Sequence, residues 1–159
     1  MDHPSPATDI AARLEAELKA MKAFVALLET EQQALIDGNI EQLPSLSESK
    51  TQAVHELNEL VRMRKNNLLA HSAAIDAQGV AAWLQAHAAN CLPLWQEIQQ
   101  LAGQLQDLNR SNGTLIQTRL RQTQQALSVL QGAASSVHGL YGADGQPHIP
   151  SSGRILGSV

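Results

Sequence analysis

The chain has 159 residues, 43% of them hydrophobic but only 3% aromatic, with a formal net charge of -4. That length suits one domain with a buried core, while 15 Asp and Glu against 11 Lys and Arg argue against a protein that tracks the nucleic-acid backbone, which needs a basic footprint. Ala, Leu and Gln are abundant and β-branched residues sparse, a composition that favours an all-α fold over strands.

Residues 1–8 hold Pro4 and Pro6 but neither a basic leader nor an apolar core of signal-peptide length, so they read as a flexible start and the chain as cytoplasmic. Asp9 is the expected N-cap of a first long helix, in which Ile10, Leu14, Leu18, Met21, Val25, Leu28 and Leu35 keep helical spacing to about residue 36. Asp37, Gly38 and Asn39 stop it, because Gly readily takes the left-handed conformation that ends helices and Asn39 is placed to cap the next one. The second long helix carries Leu43, Leu46, Val54, Leu57, Val61, Leu68 and Ile75 and is expected to end near Gln78 and Gly79, with Pro44 tolerated in its first turn.

Residues 80–87, with Trp83 and Leu84, read as a short connecting helix that turns the chain back. Pro93 marks the first turn of a third long helix, predicted over about residues 91–131 and on the order of 60 Å long at 1.5 Å per residue. Lengths of about 28 residues for the first helix and about 40 for the other two leave the first one short by roughly 18 Å, with Trp83 and Trp95 placed to fill the gap. The architecture predicted for residues 9–134 is an elongated antiparallel bundle of three long helices. Residues 135–159, rich in Gly, Ser and Pro, read as a flexible tail. No apolar run approaches the roughly 20 residues that span a bilayer, so membrane insertion is not expected. Cys91 is the single cysteine, which leaves no intrachain disulfide or multi-cysteine zinc site.

Motifs for catalysis are weak. His55 and Glu56 begin like a zinc-protease helix, but Glu59 stands where the second histidine is needed. Ser47 and Lys50 have the Ser-x-x-Lys spacing of penicillin-recognising enzymes without its companion motifs. There is no phosphate-cradling glycine loop and no nucleophile elbow. No catalytic residue, cofactor or metal is therefore assigned, and an enzyme is not expected. Arg62, Arg64 and Lys65, like Arg110, Arg119 and Arg121, read as solvated faces or as partners of carboxylates.

The strongest signal lies in the third long helix. Ile98, Leu101, Leu105, Leu108, Leu115, Ile116, Leu120, Leu127 and Leu130 recur at three, four or their sums, opposite Gln, Arg, Thr, Ser and Asn. Such a stripe is built to meet a partner chain. Asn109, Asn112 and Gly113 interrupt it, and from Leu105 to Ile116 it steps by eleven residues, breaking the seven-residue repeat. Two readings stand: a polar position that sets helix register, or a hinge at which the distal half bends away.

The order of these features resembles the FlgN family of flagellar export chaperones. The matching residues are Leu27, Leu28, Glu29, Glu31 and Leu35 in the first helix, the turn at Asp37, Gly38 and Asn39, and Leu43, Leu46, Lys50 and Leu57 in the second. Asn109 and Asn112 with Leu115 and Ile116 follow in the third, and Tyr141-Gly142-Ala143-Asp144-Gly145 closes the pattern, which covers about residues 10–145. The resemblance implies a cytoplasmic chaperone that binds the C-terminal segments of the hook-filament junction proteins FlgK and FlgL. It would keep them unassembled and deliver them to the export gate protein FlhA. In the family the C-terminal helical region holds the client, which points to Leu115, Ile116, Leu120, Leu127 and Leu130 as anchors; a tyrosine there docks at the gate, and Tyr141 is the only tyrosine in the chain. Two readings from other classes share the composition. A granule-coating helical protein would expose a broader apolar face, and a structural coiled-coil adaptor would form stable homo-oligomers with no affinity for junction-protein tails.

Overall fold

A computed structural model describes residues 6–140, with side chains described from 9 to 135. Among these residues the regular structure is entirely helical: α1 (Pro6–Asp37), α2 (Leu43–Ala70), α3 (Ala77–His87) and α4 (Leu92–Leu140). Single 3-10 turns, Ile40–Gln42 and Ala89–Cys91, lead into α2 and α4. The chain divides into two units, Met1–Ile116 and Gln117–Val159. The predicted all-α class, with three long helices and one short connector, is what the fold shows.

α1 is the centre of the first unit. Ile10, Leu14, Glu17, Met21, Phe24, Leu28, Glu31 and Leu35 are all buried and alternate steps of four and three, the spacing of a heptad seam. Leu18, Val25 and Ala34 are buried too, widening the stripe enough to serve two neighbours. α2 is shallower: Leu46, Lys50, Ala53 and Leu57 are half-buried, and only Arg64 and Leu68 are fully so. Arg64 meets Glu17 and Lys50 meets Glu31, so α2 runs antiparallel to α1. Lys22 pairs with Glu97, and Gln32 bonds Ser111, so α4 in this unit runs parallel to α1.

Both helical hairpin ends use one backbone device. At the end of α1, Gly38 has φ 73° and the Asn39 amide donates to the Ala34 carbonyl at 2.9 Å, which satisfies an orphan carbonyl of the last turn. Asn39 makes no side-chain cap, contrary to expectation, and Asp9 is also not a cap. It lies inside the first turn of α1, accepting from Arg13 Nε at 3.0 Å and from Asn67 Nδ2. At the end of α2, Ser72 takes the left-handed conformation with φ 58°, and the Ala73 amide donates to the Leu68 carbonyl at 3.0 Å.

The second helix therefore ends at Ala70, not near Gly79, because a serine does there what glycine does at residue 38. Gly79 instead sits in the first turn of α3, where its amide donates to the capping Asp76 Oδ1 at 2.7 Å. A Cβ on Gly79 would come within 2.4 Å of the Ala74 methyl, so only glycine fits. With 32 residues in α1 and 28 in α2, the first helix is not the short one. The tryptophans still pack where the helices begin: Trp83 and Trp95 are both buried with Ile10, Leu14 and Leu84, and the Trp95 indole donates to the Ala77 carbonyl at 3.2 Å. α4 continues to Leu140, past the predicted end at 131, since Gly132 is followed by alanines, the best helix formers. The rest of the predicted tail, from 141, and the first five residues of the predicted flexible start lie outside the described residues.

Candidate protein-binding site

Within the first unit α4 packs along α1. Ile98, Leu105 and Asn112 are buried at intervals of seven, and Leu101, Leu108 and Leu115, each three residues further on, are half-buried. The apolar stripe skips residue 112, but the packing does not: Asn112 occupies the seam position and is fully buried. Its Nδ2 donates to the Leu28 carbonyl and to Glu31 Oε2, each at 2.8 Å. Both partners are acceptors, which sets the orientation of the amide. Glu31 Oε2 also accepts from Lys50 Nζ at 3.1 Å, so one carboxylate ties α1, α2 and α4 together.

A second polar rung lies two heptads away. Arg64 Nε and Nη2 donate to the two oxygens of Glu17 at 2.6 and 3.3 Å, with both side chains buried. The guanidinium carbon of Arg64 also lies 4.8 Å from the ring centre of Trp95, within cation–π reach. Sequence reasoning singled out Glu31, Lys50 and Asn112 separately and missed that they meet. A signal existed: fourteen residues separate Glu17 from Glu31 and Lys50 from Arg64, equal spacings of opposite charge on two apolar seams.

Beyond this node the apolar residues of α4 face solvent. Leu115 is half-buried, whereas Ile116, Leu120, Leu127 and Leu130 are 44%, 57%, 53% and 65% exposed, joined by Val129 at 71%. Large aliphatic side chains aligned on one helix and left this open are uncommon on a chain without a partner. Arg110, Arg119 and Arg121 accompany the stripe, and no Asp or Glu occurs between Asp107 and the end of α4. Of the residues assigned to a hinge, Asn109 and Gly113 are exposed, Asn112 is inside the seam, and α4 is helical through all three. Tyr141 lies outside the described residues. Among the described residues no three His, Cys, Asp or Glu side chains gather as a metal-binding group, and no helix is long and apolar enough to cross a membrane. The surface offers apolar area and hydrogen bonds, the chemistry of holding another chain.

Comparisons with known proteins place the chain beside one family. The family model described as FlgN protein matches residues 1–149. The flagella synthesis protein FlgN of Salmonella typhimurium is 31% identical over 129 residues, spanning 80% of this chain and 81% of its own. That of Proteus mirabilis is 30% identical over 137 residues, spanning 84% and 86%. A crystal structure from Pseudomonas aeruginosa, also named for FlgN, shares the fold with a TM-score of 0.64 over 73% of this chain and 89% of that one, at 22% identity.

Proposed function

The chain belongs to the FlgN family, and on that premise we propose that it is a cytoplasmic chaperone of flagellar protein export. It holds the C-terminal segments of the hook-filament junction proteins FlgK and FlgL, prevents their premature assembly and delivers them to the export gate protein FlhA. No bond is made or broken in this role. The observation that carries the reading is the open row of Ile116, Leu120, Leu127 and Leu130 on α4, with Leu115 at its proximal end. Anchors spaced this way suit an amphipathic client helix laid alongside, which buries its own apolar face in exchange. Asn109, Asn112 and Gly113 are the proposed bend, letting the distal part of α4 adjust to the client.

The test is calorimetric titration of the full chain with the C-terminal segments of both junction proteins. Leu120→Ala and Leu127→Ala are each expected to weaken binding by about 1–3 kcal/mol, with thermal unfolding unchanged because both side chains are exposed. Unaltered affinity in a folded chain bearing Leu120→Asp and Leu127→Asp would remove the stripe as the client site. A structural adaptor would instead give stable homo-oligomers and no titration signal. Tyr141 is the proposed gate contact, an aromatic ring that fills an apolar pocket while its hydroxyl keeps a hydrogen bond. Tyr141→Ala is then expected to leave client affinity and melting temperature intact and to weaken binding of the chaperone–client complex to the cytoplasmic domain of FlhA; unchanged gate affinity would sink that role.

A further inference from the structure

Within the second unit the apolar row of α4 has the form of a heptad seam. Leu120, Thr123, Leu127, Leu130 and Ala134 follow one another at steps of three and four, and all are exposed. Thr123 does not spoil it. Its Oγ1 donates to the Arg119 carbonyl at 3.0 Å, so a partner that covers the row strands no hydroxyl donor.

The edges of this seam say more about the occupant. When two helices pair, the positions beside the seam meet the partner's own edges, and charges there ordinarily choose the partner. One edge here is Gln117, Gln124 and Gln131, at intervals of seven; the other is Arg119, Ala126 and Ala133. All six are exposed, Arg119 is the single charged residue among them, and α4 carries no Asp or Glu after Asp107. Arg121 falls at an outer heptad position, away from the seam. The first unit is built the other way, with Arg64 on Glu17 and Lys50 on Glu31 between α2 and α1. A carboxylate or ammonium group laid on the glutamine edge would lose water and gain no opposite charge. A Ser, Thr, Asn or Gln side chain would instead exchange hydrogen bonds with carboxamides that both donate and accept.

We propose that the α4 row selects its client by apolar spacing and not by charge. Its occupant is an amphipathic client helix whose ridge matches Leu120, Leu127 and Leu130 and whose flank against Gln117, Gln124 and Gln131 is uncharged and hydrogen-bonding. The proposal rests on the client-binding role above and adds the class of segment that role accepts. Any segment that keeps the spacing and the neutral flank is accepted, which lets one row serve two junction proteins.

The experiment titrates the full chain with the C-terminal segments of both junction proteins. It compares the unaltered chain with two triple variants, one carrying Gln117→Glu, Gln124→Glu and Gln131→Glu, the other the same three changes to Lys. Glu and Lys are helix formers as good as Gln, and the positions are exposed, so melting temperatures are expected to match. Both triples are expected to weaken binding by more than about threefold, since either charge is desolvated against a neutral flank. The affinity of the unaltered chain is expected to change by less than about threefold between roughly 0.1 and 1 M salt. A triple that tightens binding reveals a client flank of opposite charge and overturns the proposal, as does a triple that stays within about threefold of the unaltered chain or a steeper salt dependence. If a triple does not fold, Gln124→Glu and Gln124→Lys at the centre of the edge give the same comparison of signs. Sedimentation without client reads self-association, and association that both triples abolish assigns the edges to a second copy and overturns the proposal. Each of these failures leaves the client role standing, whereas absence of any binding by the unaltered chain overturns both.

Discussion

Glu17 and Arg64 occupy places where a helical seam ordinarily takes leucine, and both are buried. Removing two charges from water costs several kcal/mol per ion, which their mutual attraction and hydrogen bonds largely offset without a clear surplus. Their physical contribution is to register. A slip of one heptad between α1 and α2 would set Glu17 against Leu57 and Glu31 against Leu43, burying two carboxylates on leucine. Arg64→Met alone is therefore expected to cost about 3–5 kcal/mol, since it strands Glu17, while Glu17→Leu combined with Arg64→Met should be neutral or stabilising by about 1–4 kcal/mol. Urea unfolding of both variants measures this, and a double variant as unstable as the single one would contradict it. The charges themselves were visible in the sequence, yet their pairing was not, because an isolated Glu or Arg on a helix is most often solvated.

At the scale of the element, α1 and α2 end by the same hydrogen-bonding pattern with different residues. Gly38 announces its turn in the sequence; Ser72, inside Ala70-His71-Ser72-Ala73-Ala74, does not, because a run rich in alanine reads as continuing helix. Serine in the left-handed conformation carries a steric cost that glycine avoids. Ser72→Gly is expected to raise the unfolding free energy by about 1 kcal/mol, and a melting temperature that falls instead would show that the serine side chain matters more than its backbone. On α4, a Cβ added at Gly113 would meet nothing within 4 Å. Gly113→Ala should therefore stabilise the helix by about 1 kcal/mol. If residues 109–113 bend when a client binds, the same change should also alter client affinity in the titration above; a more stable protein with unaltered affinity would remove the hinge.

For the molecule as a whole, Cys91 reports on the core. It is 1% exposed, sits among Ile10, Leu84 and Trp95, and its thiol is pushed up by burial and further by the charge of Glu15. The folded state therefore holds this proton more tightly than the unfolded one. The stabilisation is fully present below the ordinary thiol range and is lost as pH rises through the raised value. Alkylation of Cys91 at neutral pH is expected to be slow and to accelerate with urea in step with unfolding; fast alkylation of the native chain would show local opening at the start of α4. The sequence by itself determined the all-α class, the long helices, the turn at Gly38 and the stripe from Leu115 to Leu130, since each follows from local propensity or from a period of about 3.6 residues. Only the tertiary structure decided that α2 stops at Ala70, that Asn112 fills a seam position, that Glu31 binds Lys50 and Asn112 together, and that α2 and α4 leave a trough over α1. A heptad seam fits its neighbour equally well in steps of seven residues, so periodicity alone leaves the register open. The choice among registers falls to buried charges that meet across the chain, and which ones meet is a property of the folded packing.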